Sequence, residues 1–229
     1  MLLVSGFLLI NKLSGPTSHD VIDELRRITG VRRIGHAGTL DPFASGLLIV
    51  GVGREATRQL GSFLKLDKSY VAKLKLGAVS DTYDRDGKLQ VISNQKPVTR
   101  KNIEEVLGKF KGEINQVPPM YSAKKVKGKK LYELARQGKE IARKPNKVKI
   151  YELELLNCSI AKLLISIRCR VSSGTYIRSL AHDIGQDLGC GAYLEELQRT
   201  AIGDYKLEDA VELKDLSQEN WQKKLRKLF

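Results

Sequence analysis

The sequence predicts an α+β fold, and three observations predict it. Segments with apolar residues at helical spacing and segments that alternate at a period of two are both present, and they do not follow one another in a regular βαβ order. Hydrophobic residues make up 41% and charged residues 29% of the 229 residues, the balance of a folded protein with one sizeable core. No internal repeat or low-complexity tract interrupts the pattern, so a single domain over residues 1–229 is expected.

The elements follow in order. Residues 2–10 are apolar and read as a buried strand, since they lack the basic start and the small-residue cleavage site of a secretion signal. The turn cluster Asn11-Lys12-Leu13-Ser14-Gly15-Pro16 ends it. Ser18 is then placed to cap a helix through Thr29, whose apolar positions are Val21, Ile22, Leu25 and Ile28. Residues 35–42 read as a loop, and the unbroken apolar run 46–52 suits a strand covered on both faces. Tyr70, Ala72, Leu74 and Leu76 alternate as in a half-buried strand, and residues 103–110 have helical spacing before a break at Pro118-Pro119. Ile165, Ile167, Cys169 and Val171 alternate with Ser166, Arg168 and Arg170, which predicts a strand with one wet face. Thr175 reads as the cap of a helix with Ile177, Leu180, Ala181, Ile184 and Leu188 on one stripe, ending at Gly189. Residues 218–229 leave room for a short C-terminal helix.

Lys and Arg number 40 against 26 Asp and Glu, and a net charge of +14 favours a polyanionic partner, either nucleic acid or an anionic membrane surface. No apolar run approaches the ~20 residues that span a bilayer. The charge is concentrated: residues 117–149 hold eleven Lys or Arg against two Glu, so 11 − 2 = +9 of the +14 lies there. A solvated loop would account for it equally well. Cys158, Cys169 and Cys190 form no CxxC pair and are odd in number, which argues against disulfides or zinc and suits a reducing cytoplasm.

Weaker patterns point nowhere. Gly51-Val-Gly-Arg-Glu-Ala56 imitates a dinucleotide-binding turn without the βαβ unit that such a turn needs. Asp81-Thr-Tyr-Asp-Arg-Asp-Gly87 imitates a calcium loop, but Thr82 stands where the first ligand belongs and Ser93 where the bidentate Glu belongs. His19, His36 and His182 have no metal-ligand spacing. Neither metal nor cofactor is expected.

Gly35-His-Ala-Gly-Thr-Leu-Asp-Pro-Phe-Ala-Ser-Gly-Leu-Leu48 closely resembles the catalytic-loop motif of TruB-type tRNA pseudouridine-55 synthases, in which the Asp is the essential residue. Four further stretches match in the same order: residues 12–18, Asp67-Lys-Ser-Tyr70, Pro119-Met-Tyr-Ser-Ala-Lys124 with Gly128-Lys-Lys-Leu-Tyr132, and Gly174-Thr-Tyr-Ile-Arg178. The similarity runs to about Leu213, and Cys190-Gly-Ala-Tyr-Leu-Glu-Glu-Leu-Gln-Arg199 is its last clear block. It implies a pseudouridine-synthase fold, a central mixed and mostly antiparallel sheet flanked by helices with a basic RNA-binding insertion. The implied activity is isomerisation of a T-loop uridine of tRNA, flipped out of its stack, without cofactor. The implied partner is the tRNA T-arm stem-loop, with no membrane and no protein partner, and the enzyme is expected to act as a cytoplasmic monomer.

The resemblance also assigns residues. Asp41 matches the catalytic aspartate, and a carboxylate suits a reaction that cleaves and re-forms a glycosidic bond, although an Asx turn ahead of Pro42 is the plainer alternative. Tyr70 matches a tyrosine that stacks on the extruded uracil and is implicated in moving the C5 proton; its strand face alone would make it core. Arg178 matches an arginine that pairs with the catalytic aspartate and with the acid at Asp84. In the first turn of a helix a cation is disfavoured by a few tenths to ~1 kcal/mol, so it needs a carboxylate, unless it is merely a solvated surface arginine. His36 matches a histidine near the displaced bases, and Leu197 an apolar wall of the uracil pocket that periodicity alone would leave in the core. Residues 117–149 match the RNA-clasping insertion, in which Tyr121, Lys124, Lys129 and Lys130 are candidate contacts.

Two departures stand out. Leu13 follows Lys12 where the family commonly has Pro, and no C-terminal PUA domain is expected in 229 residues. Two other function classes stay open on the sequence: the related synthases that work with a guide RNA and accessory proteins, and a non-catalytic RNA chaperone.

Overall fold

The computed structural model describes residues 5–93, 97–122, 125–126, 128–135, 137–138 and 141–227, with the backbone alone at 125, 126, 129, 130, 132 and 133. It divides into two compact units, Met1–Tyr70 with Leu197–Phe229, and Val71–Glu196.

The first unit opens with β1 (Gly6–Lys12), α1 (Ser18–Thr29), β2 (Ile34–Ala37), β3 (Ser45–Val52) and α2 (Arg54–Leu64), and it includes the start of β4 (Lys68–Leu76). β1 lies antiparallel to β3, with Gly6 opposite Val52 and Lys12 opposite Gly46. The alternation of each strand is read by two helices. Leu8, Ile10, Leu48, Val50 and Val52 pack with Val21, Ile22, Leu25 and Ile28 of α1, and the intervening Phe7, Leu9, Leu47 and Ile49 pack with Ala56, Leu60 and Phe63 of α2. This two-sided cover is why residues 46–52 are apolar without interruption.

Two local expectations are corrected here. Thr17, not Ser18, caps α1: its side chain accepts from Asp20 N while the Asp20 carboxylate accepts from Thr17 N, a reciprocal capping box. That frees the Ser18 hydroxyl for a different role. Residues 34–37 are also a strand rather than loop, because their backbone pairs with β3 from Ile34 opposite Val52 to Ala37 opposite Ile49.

The second unit carries the rest of β4, then β5 (Ala78–Ser80), β6 (Leu89–Val91), α3 (Arg100–Lys109), β7 (Gly112–Gln116), β8 (Lys125–Val126), β9 (Lys129–Lys130), α4 (Leu131–Ala135), β10 (Asn146–Ser159), β11 (Leu164–Val171), α5 (Ile177–Leu188) and the start of β12 (Ala192–Ile202). Its strands are ordered β4-β11-β10-β7, with β10 antiparallel to both neighbours. Ile165, Ile167, Cys169 and Val171 are buried, as their alternation requires. α5 buries Ile177, Leu180, Ala181, Ile184 and Leu188 and packs on α3. Its N-cap is Tyr176; Thr175, expected in that place, instead donates its hydroxyl to Ser172 O in the preceding turn. The Gln116 amide grips the cap by donating to Tyr176 O and accepting from Tyr176 N. Of the basic stretch 117–149, residues 125–130 include the β8–β9 hairpin and residues 146–149 already belong to β10.

The chain closes in the first unit. The end of β12 runs parallel to β3, Gln198 opposite Ser45 and Arg199 opposite Gly46, and antiparallel to β13 (Tyr205–Lys206). The result is a mixed, mostly antiparallel sheet with helices, an α+β fold. The helix expected over 218–229 reduces to one 3-10 turn, Trp221–Lys224. Trp221 is buried against the α1 core, and the backbone of Arg226 then pairs with that of Phe7, which takes those polar groups out of any helix.

Candidate active site

Asp41 lies in the segment between β2 and β3, and the backbone around it is pinned on almost every side. The Ser18 hydroxyl accepts from Leu40 N and donates to Leu40 O; Ser14 donates to Phe43 O; the Pro42 carbonyl accepts from Gly15 N and from Lys12 Nζ. Arg199 closes the segment as a clasp, its Nη2 donating to Gly38 O at one end and its Nε to Leu47 O at the other. Gly46 makes that closure possible. It sits at φ 109°, and any Cβ there would collide with the Arg199 backbone.

The cations that do this pinning are buried. Arg199 is 2% exposed and Lys12 1% exposed. Burial pushes the Lys12 ammonium down to about 8; the Asp41 carboxylate works against that shift and Arg199 adds to it. Three carbonyls hold Lys12 Nζ, those of Leu13, Pro16 and Pro42. Lys68 is bound in the same manner, by the carbonyls of Phe63, Leu64 and Leu66 at the end of α2, and burial likewise pushes it down to about 8. It anchors the strand that presents Tyr70 two residues later.

Among the other expected residues of this unit, Tyr70 and Leu197 are both buried, on β4 and β12. His36 is half-buried, edge-on to His19 with ring centroids 6.0 Å apart. Its pKa is lowered by burial, then by His19 and Arg199, and its Nδ1 has no hydrogen-bond partner among the described residues. The ring is therefore neutral at pH 7.

The second unit assembles its own polar cluster on α5. Arg178 Nη1 donates to Thr82 O and lies 3.3 Å from Asp84 Oδ2, while Nη2 donates to Tyr121 O. Asp84 is further held by the Thr82 hydroxyl and by Asp86 N, both on Oδ1. Tyr121, at the head of the basic stretch, thus meets the arginine through its backbone. Lys124 lies outside the described residues, and Lys129 and Lys130 are placed by backbone alone, on β9.

The first unit offers a carboxylate at Asp41 on a pinned backbone and a buried aromatic ring at Tyr70, groups that suit chemistry at a sugar carbon. The second unit, by itself, offers a buried, paired guanidinium at Arg178. Among the described residues no group of three or more His, Cys, Asp or Glu is disposed to hold a metal, and no helix is long and apolar enough to cross a membrane. Lys12, Ser18, Lys68 and Arg199 were not singled out from the sequence as site residues. One signal was available for Arg199, which shares the period-two register of Leu197 on its strand.

Residues 26–177 match the family model for the N-terminal domain of TruB family pseudouridylate synthases, and residues 178–229 match that for the C-terminal domain of tRNA pseudouridylate synthase B. The chain is 50% identical over 208 residues to tRNA pseudouridine synthase B of Protochlamydia amoebophila, covering 91% of this chain and 78% of that one. It is also 50% identical over 214 residues to tRNA pseudouridine synthase B of Azoarcus sp., covering 93% and 70%. Among solved structures, that of a Cbf5-Nop10-Gar1 complex matches with a TM-score of 0.75 and 31% identity over 96% of this chain, which spans 59% of the length of the chain it matches.

Proposed function

Since the chain belongs to the TruB family of pseudouridylate synthases, we propose that it isomerises a T-loop uridine of tRNA in place to pseudouridine, with Asp41 acting on the sugar. The reaction breaks the bond from uracil N1 to ribose C1′, turns the base over and joins C5 to the same carbon. The C5 hydrogen leaves as a proton and N1 gains one, so atoms and electrons balance without a redox partner or phosphate donor. A carboxylate has two routes to this, as nucleophile at C1′ or as base on the sugar.

The observation that carries the reading is the pinning of the Asp41 segment, with the carbonyls of Gly38, Leu40, Pro42, Phe43 and Leu47 each bound by a side chain from elsewhere in the chain. A backbone held this way limits where the Asp41 carboxylate can reach before substrate arrives. In the same reading Tyr70 stacks on the flipped uracil and its hydroxyl moves the C5 proton, Leu197 walls the base, and His36 fills space among the displaced bases. Arg178, oriented by Asp84, serves the charged groups of the site. The basic stretch 117–149 grips the T arm, and the protein acts alone as a monomer. The 50% identity to tRNA pseudouridine synthase B, against 31% to the chain of the Cbf5-Nop10-Gar1 complex, supports tRNA as the substrate.

The test is tritium release from a tRNA transcript labelled at uracil C5. Wild-type protein should release the label to water, and Asp41→Asn should not, while binding tRNA within about threefold of wild type. Turnover by Asp41→Asn within about tenfold of wild type sinks the assignment of Asp41.

A further inference from the structure

We propose that the stack of His182 on Tyr83 is a positioning device, holding residue 83 in a left-handed backbone conformation that delivers Asp84 and the Thr82 carbonyl to Arg178. Its kinetic consequence rests on the function proposed above; the conformational part does not.

Tyr83 has φ 65°, a region that a bulky L residue rarely enters and that clusters at functional sites. The surrounding hydrogen bonds depend on that turn of the chain. Tyr83 N donates to Ser80 O, Tyr83 O accepts from Leu194 N, and the carbonyl just before it, that of Thr82, accepts from Arg178. Were residue 83 to relax to an ordinary right-handed conformation, one of these carbonyls would swing away from its donor. The Asp84 carboxylate, one residue on, would swing with it.

What opposes that relaxation is a ring. His182 stacks on Tyr83 with centroids 4.0 Å apart and planes 14° from parallel. His182 stands one helical turn after Arg178 on α5, so one face of one helix grips residues 82, 83 and 84 together. The imidazole lies flat on the Tyr83 ring, and its Nδ1 has no hydrogen-bond partner among the described residues. Burial lowers its pKa and keeps the ring neutral, the form that stacks without bringing a third charge to the Arg178–Asp84 pair.

The test uses the whole protein and two readouts, tritium release from C5-labelled tRNA and hydrogen exchange at the amides of Arg85 and Asp86, which bond to Leu194 O and Asp84 Oδ1. His182→Ala should lower kcat by about threefold to tenfold with KM for tRNA unchanged, the scale of one aromatic pair, and should speed both amides. His182→Phe, which keeps a ring on Tyr83, and Tyr83→Phe, which keeps a ring under His182, should both retain the wild-type kcat and protection. In a Tyr83→Gly background, where a left-handed φ is free of strain, His182→Ala should cost nothing further. Unchanged kcat and exchange in His182→Ala, or a loss that persists undiminished in the Tyr83→Gly background, overturns the proposal. Faster exchange with normal kcat overturns the catalytic part of it. If wild-type protein releases no tritium, the function proposed above fails, and the amide readout still decides whether the stack sets the backbone.

Discussion

Arg178 and Asp84 form an ion pair at 3.3 Å in which each side chain is only 7% exposed. A charge buried to that degree depends on its partner: stripping one away leaves the other desolvated and uncompensated, whereas stripping both does not. Asp84→Ala or Arg178→Met alone should therefore cost roughly 3–5 kcal/mol of stability. The double variant should lose clearly less than the sum of the two. Urea unfolding of the four proteins checks this; additive losses would mean that the pair carries no coupling.

Tyr70 separates stacking from proton transfer. Tyr70→Leu should lose a base stack worth ~1–3 kcal/mol as well as the hydroxyl, while Tyr70→Phe keeps the stack. Both variants should bind tRNA, and neither should turn over well. Full activity in Tyr70→Phe would show that the hydroxyl plays no part in moving the C5 proton.

Lys12 gives a pH dependence whose sign runs against intuition. Its pKa is pushed from 10.5 down to about 8 by burial, so between those values the unfolded chain binds the extra proton and the folded one does not. The contribution to stability is present in full above about pH 10.5 and is lost as pH falls through about 8. The stability lost on Lys12→Met should accordingly be greater at pH 10 than at pH 7.5, read as the gap between wild-type and variant urea midpoints. A gap that narrows on raising the pH would show that the ammonium is not disfavoured in the fold.

The basic stretch predicts a salt effect. Each phosphate contact contributes about 0.9 to the slope of log affinity against log salt on duplex nucleic acid and ~0.7 on single strands. Lys124→Glu with Lys129→Glu and Lys130→Glu should weaken tRNA binding strongly at low salt and flatten that slope, with the rate at saturating tRNA near normal. An isolated T-arm hairpin should remain a substrate of the wild type. Unchanged affinity and slope in the triple variant would mean that these three lysines of the basic stretch do not contact the RNA.

Much of the architecture was legible where one period dominates. β3, β4, β11, α1 and α5 each carry an apolar rhythm whose stripe is buried, with Ser18, Lys68, Arg178 and Ser179 buried beside it. β12 hid because Glu195, Glu196 and Arg199 interrupt its apolar set, and β2 because four residues that include Gly35 and His36 are too short to show a period. Motif resemblance singled out the carboxylate, the arginine and the arginine's partner Asp84, but not the residues that pin the Asp41 backbone. Lys12, Lys68 and Arg199 are buried on backbone carbonyls, and a reading that sends charge to the surface cannot find them. Nor does any residue type announce that Tyr83 turns left-handed, because its ring partner stands 99 positions along, at His182.

The clasp of Arg199 across Gly38 and Leu47 also decides which molecule must yield when enzyme and RNA meet. The conformational entropy of the Asp41 segment is surrendered once, during folding, and is not charged again at each encounter. On the function proposed above, a segment already rigid needs no reshaping by its substrate, so the deformation would fall on the nucleotide, which would have to leave its stack to reach the carboxylate. Discrimination among RNAs would then follow how readily each one gives up a uridine, in favour of loops already strained or loosely stacked.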